Sequence, residues 1–100
     1  MKEKYKLYNG DCLEVMDELI SLGIKFDMIF TDIPYGITSR NKWDEIIPFN
    51  CMWEKIHKLI NGNTPILLFS DEPFTSKLIC SNLKEFKYRI TWDKQLPSGF

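Results

Sequence analysis

The spacing of apolar residues changes repeatedly along the chain, and each change marks the edge of an expected element. YKLYNG (5–10) alternates and stops at Asn9-Gly10, which predicts a short strand. CLEVMDELISLG follows with Leu13, Met16 and Leu19 or Ile20 at helical spacing, and it ends at Gly23. FDMIFTD (26–32) reads as a second strand. Its centre is apolar on both sides of the pleat, the pattern of a strand covered on both faces. Residues 33–48 contain Pro34, Gly36, Pro48 and the polar TSRNKWDE, and read as a long loop. Loops of that length in small domains are more often functional than idle.

Beyond the loop, FNCMWEKIHKLI (49–60) sets Phe49, Met52 or Trp53, Ile56, Leu59 and Ile60 on one helical stripe, closed by NGN. TPILLFS (64–70) predicts a third buried strand. EPFTSKLICSNLKEF predicts a helix, with Pro73 near its first turn and Leu78, Ile79 and Leu83 on its apolar side. KYRITWDK (87–94) alternates like a final strand. The expected order is β-α-β-α-β-α-β, an α/β class with a mainly parallel sheet and right-handed crossovers. The chain shows no repeat, low-complexity tract or linker, and no further element is predicted after QLPSGF.

Composition narrows the choices. One hundred residues with 44% apolar content suit a single small domain of modest stability. The net charge of −1, with scattered lysines, leaves out the basic stripe of a free-standing nucleic-acid binder. Any polynucleotide contact must therefore lean on a single pocket or on residues elsewhere. Cys12, Cys51 and Cys80 are odd in number and far apart, so reduced thiols are expected in place of a disulfide framework or a zinc site. MKEKYKLYNGD lacks the apolar core of a signal peptide, and no apolar run approaches spanning length. A soluble, cytoplasmic protein without membrane contact or metal is expected.

Ligands of open parallel sheets sit outside the carboxyl ends of the strands. Asp11, Asp32, Ser70-Asp71 and Trp92-Asp93-Lys94 fall there. Asp11 also reads as a helix N-cap, and Ser70-Asp71 is better read as a cap or turn than as a ligand contact. Strands ending in acids, MIFTD and ILLFSDE, are a feature of nucleotide hydrolases, but no G-x-x-x-x-G-K-[ST] loop accompanies them. His57, beside Glu54 and Lys58, has no ligand-spaced partner and reads as a solvated surface residue. Trp53 reads as core, and Trp43 in the long loop stays open between base stacking and structure.

MIFTDIPYG (28–36) fits one chemical task as a unit. The exocyclic amine of adenine or cytosine is a poor nucleophile because its lone pair is delocalised into the ring. Hydrogen bonds from its two protons, to the Asp32 carboxylate and the backbone carbonyl of Ile33, would favour a more tetrahedral nitrogen. They would also stabilise the positive charge that forms with a new N–C bond. Pro34 fixes the chain direction and Tyr35 offers a stacking face. A base must leave its duplex stack to reach such a pocket.

TDIPYG resembles the D-P-P-Y motif of DNA amino-methyltransferases. Its surroundings extend the likeness over essentially all 100 residues: YNGDCLEVMDEL, NKWDEIIPF-x-x-MWE, ILLFSDEPFTSKLI and ITWDK…SGF. The series is similar to the N-terminal part of phage and bacterial site-specific DNA methyltransferases. The resemblance implies a partial Rossmann-like methyltransferase fold, with S-adenosylmethionine as cofactor and double-stranded DNA as partner of the complete enzyme. It also implies a setting in restriction-modification or phage DNA methylation. Asp32, Ile33, Pro34 and Tyr35 match the motif that holds the target base. Asp11 matches an acid near the cofactor's adenine ring, and Trp92 and Lys94 match a W-x-K segment near the target base. An acid at the first motif position points to adenine, with cytosine-N4 methylation as the alternative.

Two departures from the family pattern stand out. Ile33 occupies the place of the motif's first proline, which keeps the carbonyl and loses φ restraint, although Pro34 biases residue 33 toward extended geometry. The family's glycine-rich cofactor loop, often F-x-G-x-G, has no counterpart, since the five glycines are isolated. The arrangement resembles the permuted class, in which the target-base motif precedes the cofactor loop and a target-recognition region. Residues 1–100 are then expected to be an N-terminal, catalytic-motif part of a methylase domain, or one piece of a split enzyme with a second chain. Alone they are expected to be inactive. RNA and protein amide methyltransferases with an N-P-P-Y motif usually place the cofactor loop first, and the 31 residues before Asp32 cannot hold one. A non-catalytic remnant that binds a partner is the reading from a different class.

Overall fold

A computed structural model of the chain describes residues 4–34, 46–93 and 95. Its described elements run α1 (Cys12–Ser21), β1 (Ile29–Thr31), α2 (Phe49–Lys58), β2 (Ile66–Leu68) and α3 (Phe74–Ser81). All three expected helices form, each shorter than its apolar pattern. α1 starts where Asp11 turns extended and its carboxylate accepts the Leu13 N–H at 2.8 Å. It stops at Gly23, whose φ of 74° lies in the left-handed region. There the Ile24 N–H reaches the Leu19 carbonyl and the Gly23 N–H reaches the Ile20 carbonyl, the bond pair of a Schellman cap. α2 carries Lys55, His57 and Lys58 in its last turn, where the helix dipole favours cations.

β1 and β2 pair in parallel, with Ile29 opposite Ile66, Phe30 opposite Leu67 and Thr31 opposite Leu68. Flanking bonds run from Ile29 N–H to the Pro65 carbonyl and from Phe69 N–H to the Thr31 carbonyl, each 3.0 Å. A bridge between Phe26 and Ile60 extends the pairing backward. The Thr64 hydroxyl closes that end on the Phe26 carbonyl at 3.0 Å.

The core lies on one face of this pair. Met52 and Ile56 of α2 and Phe74 and Leu78 of α3 are buried, and Ile29, Ile66 and Leu68 pack against them. Alternation places Phe30 and Leu67 on the opposite face. Among the described residues no helix covers that face: Phe30 is 59% exposed and Met28 50%, with Leu67 half-buried. The expectation of a strand covered on both faces is therefore corrected, because the described helices pack on one side only. Between α1 and α2, Lys55 pairs with Asp17. Trp53, half-buried as its core reading requires, donates its ring N–H to the Ser81 hydroxyl at 2.8 Å and so ties α2 to α3.

Two strands expected from alternation are absent. Residues 5–10 and the described residues 87–93 have no strand geometry, and their apolar side chains face water, with Leu7 at 85% and Ile90 at 72% exposure. Alternation only prepares a strand; the ladder bonds of a neighbour make one, and the described sheet has two strands. Among the described residues the order is α-β-α-β-α, where β-α-β-α-β-α-β was expected. Of the expected 33–48 loop, residues 33–34 and 46–48 carry no helix or strand and 35–45 lie outside the described residues.

Two measurements check this packing. Phe74→Ala empties a site that is 2% exposed and is expected to cost about 3–5 kcal/mol in chemical denaturation. Lys58→Ala, on the surface, should stay within about 0.5 kcal/mol. Acid stability follows two carboxylates held below their usual value. Glu72 is lowered by hydrogen bonds from the Ser76 hydroxyl and N–H, and Glu85 by Asn82 and then His57. A depressed folded pKa contributes stability above the unfolded value, near 4.5, that is lost as pH falls through the folded one. The melting temperature should therefore decline below about pH 4.5, and Glu85→Gln should flatten part of that decline.

Candidate active site

The candidate site is built where β1 ends. The Thr31 carbonyl makes the last bond to β2 by accepting the Phe69 N–H, and Asp32, Ile33 and Pro34 follow at once. Alternation carries Asp32 to the side of Phe30, the bare face, and Ile33 to the core side. Asp32 is exposed, Ile33 is buried at 9% and Pro34 is half-buried. The acid thus stands exposed between Thr31, bonded to β2, and the buried Ile33. Tyr35, the fourth motif residue, lies outside the described residues, as do Lys94 and Trp43.

An aromatic row reaches toward this end. Phe30 meets Phe69 edge-to-face, centroids 5.2 Å apart at 89°, and Phe69 meets Trp92 at 6.4 Å and 45°. Trp92 is 75% exposed and outside any strand, yet the row brings it to the face that carries Phe30, two residues before Asp32. Neither Phe30 nor Phe69 stood out in the sequence as a site residue. The pairing of Phe30 with Leu67 sets Phe69, two residues on, on the same face, and that register is invisible before β1 and β2 are paired.

Cys12, the first residue of α1, borders the same apolar cavity as Thr31 and Ile33, which flank Asp32. The cavity, about 310 Å³, runs between α1, the free edge of β1 and α2, with Met16, Met52 and Ile56 among its walls. Ile33 of the motif is in its lining and Asp32 is not. Partial burial, and then the neighbouring Asp11 carboxylate, push the Cys12 thiol above its ordinary value. At neutral pH it is a protonated thiol and a poor nucleophile.

The remaining candidates take structural roles. Asp11 caps α1, as its position before a helix suggested. Asp71 accepts the Thr75 N–H through its carbonyl and the Glu72 N–H through its carboxylate, and Ser70 accepts the Thr75 hydroxyl. These are turn and cap contacts that start α3. His57 is exposed and joined to Glu85, with its ring stacked on Trp53. The three cysteines are free thiols.

The described residues do not fit an S-adenosylmethionine site. Asp11 commits an oxygen to its helix, and the described glycines make no cradle. A Cβ at Gly10 would meet only Val15 Cγ2 at 3.7 Å, and at Gly23 or Gly62 it would meet nothing within 4 Å. Close backbone approach to a ligand is the usual reason for glycines in such a loop, and none of these shows it. Among the described residues no cluster of three His, Cys, Asp or Glu could hold a metal, and no helix is long and apolar enough to cross a membrane.

Asp11→Ala is expected to cost about 1 kcal/mol of stability in thermal or denaturant unfolding, whereas Asp11→Asn, a competent cap, should cost a few tenths. Equal losses would show that the carboxylate charge, and not the cap, is what the site uses. No family model, curated protein or solved structure matches this chain.

Proposed function

We propose that Asp32-Ile33-Pro34-Tyr35 holds the exocyclic amine of a flipped adenine for N6 methylation of DNA. The observation that carries this reading is an exposed carboxylate directly beyond a parallel strand, within a D-x-P-Y sequence. Asp32 accepts one amine proton and the Ile33 carbonyl the other. This draws electron density onto the nitrogen and stabilises the charge it gains as its bond to a methyl carbon forms. The proton leaving that nitrogen passes to Asp32 or to water. Trp92, joined through Phe69 to Phe30, supplies an aromatic surface on the face of the acid. The methyl donor would be S-adenosylmethionine, whose sulfonium–methyl bond would break to leave the neutral thioether S-adenosylhomocysteine; no described residue is assigned to hold it. The α/β architecture is then that of a partial Rossmann-like methyltransferase domain.

Cytosine carries an equivalent amine, and cytosine-N4 methylation is the nearest variant of the reading. A module without catalysis that binds a partner chain is favoured by one observation, the bare apolar face at Met28 and Phe30. The two classes separate in a titration of the isotope-labelled chain with deoxynucleoside monophosphates, followed by amide NMR. The target-base reading expects shifts at Asp32 and Ile33 with dAMP, weaker ones with dCMP and none with dTMP, which has no exocyclic amine. Asp32→Asn should weaken the dAMP response by at least about tenfold, the scale of one lost hydrogen bond to a charged group. Equal responses to dAMP and dTMP, or none, would favour the module without catalysis. Methyl transfer to DNA by the purified 100-residue chain is expected to be undetectable, and measurable transfer would overturn the expectation that these residues alone are inactive.

A further inference from the structure

Every buried side chain among the described residues lies on a helix or at its cap, except Ile33. No residue of β1 or β2 is buried to the same degree. Ile33 shares its cluster with Met52 and Ile56 of α2 and with Phe74 and Leu78 of α3. The stretch around Asp32 is therefore held at two points. Before it, the Thr31 carbonyl is bonded to Phe69 N–H at 3.0 Å; after it, the Ile33 side chain is buried in the core cluster that α2 and α3 build.

In the motif that TDIPYG resembles, this position is a proline, which fixes φ through its ring. Isoleucine gives up the ring, but its branched side chain has a core to enter. We infer that Ile33 is a positioning residue: its burial in the α2–α3 core cluster fixes the backbone that carries Asp32 and the Ile33 carbonyl, replacing the ring restraint. This rests on the proposed target-base role of the segment. It assigns to the departure from the motif a mechanical role that the loss of a proline alone would not suggest. It also predicts that proline is the wrong residue here, since a pyrrolidine ring cannot fill the space of an isoleucine side chain.

The test uses backbone ¹⁵N relaxation and thermal unfolding of the full 100-residue chain without ligand. Leu19→Ala serves as control, because Leu19 is buried to the same 9% but lies outside the Ile33 cluster. Both Ile33→Ala and Leu19→Ala are expected to lower the melting temperature by about 10 °C. Only Ile33→Ala should drop the order parameter at Asp32 from about 0.85 toward 0.6. Ile33→Val should restore most of that order, and it provides the reading if the alanine variant does not fold. Ile33→Pro should melt as early as Ile33→Ala. Unchanged order at Asp32 in Ile33→Ala, an equal loss in Leu19→Ala, or a proline variant as stable as the parent would overturn the inference. The order of Asp32 is read without nucleotide, so a missing dAMP response with the anchor intact would count against the proposed function alone.

Discussion

The packing of one sheet face on α2 and α3 is the contact from which the rest of the structure follows. Two three-residue strands have few ladder bonds and no independent stability. They persist because Ile29, Ile66 and Leu68 lie on Met52, Ile56 and Phe74, the last three almost fully buried. That contact fixes which side of β1 faces the core and hence which residues beyond Thr31 face out. The exposure of Asp32 and the burial of Ile33 are consequences of one alternation continued past the end of the strand.

The same contact leaves the molecule one-sided. The register directs the N–H and carbonyl of Ile29 and Thr31 toward β2, so those of Phe30 point away from it, along an edge that is open among the described residues. Beside that edge runs an apolar cavity, and on the uncovered face Phe30 and Phe69 pack on each other in water. An open edge with apolar flanks is a liability in a free chain, since it templates pairing with any other strand. The site proposed here lies at the end of that edge. A strand added beside β1 would therefore both cover apolar surface and wall one side of Asp32.

The helices were legible in the sequence because their signals are local. Leu13, Met16 and Leu19 repeat at helical spacing, Asp11 caps and Gly23 ends the turn, and none of this needs a distant partner. The expected strands at 5–10 and 87–94 do not appear among the described residues for the opposite reason, since alternation in YKLYNG and KYRITWDK has meaning only against a neighbour. Asp32 could be singled out as an acid closing an apolar run. Ile33 was legible only as a missing proline, although Ile29, Thr31 and Ile33 are in step and already placed it on the core side. Phe30 and Phe69 required the register of β1 on β2, which no single stretch encodes.

At the centre of the proposed function is a division: Asp32 and the Ile33 carbonyl at the end of β1 would take the target amine, and no glycine cradle for a methyl donor is found among the described residues. One oxygen of the Asp11 carboxylate caps α1, and the described glycines guard no ligand space. Calorimetric titration of S-adenosylmethionine into the folded 100-residue chain tests that division most directly. The account predicts no saturable heat from a chain shown by circular dichroism to be folded. Saturable binding with a defined stoichiometry would contradict it, and would mean that these residues build a complete cofactor site.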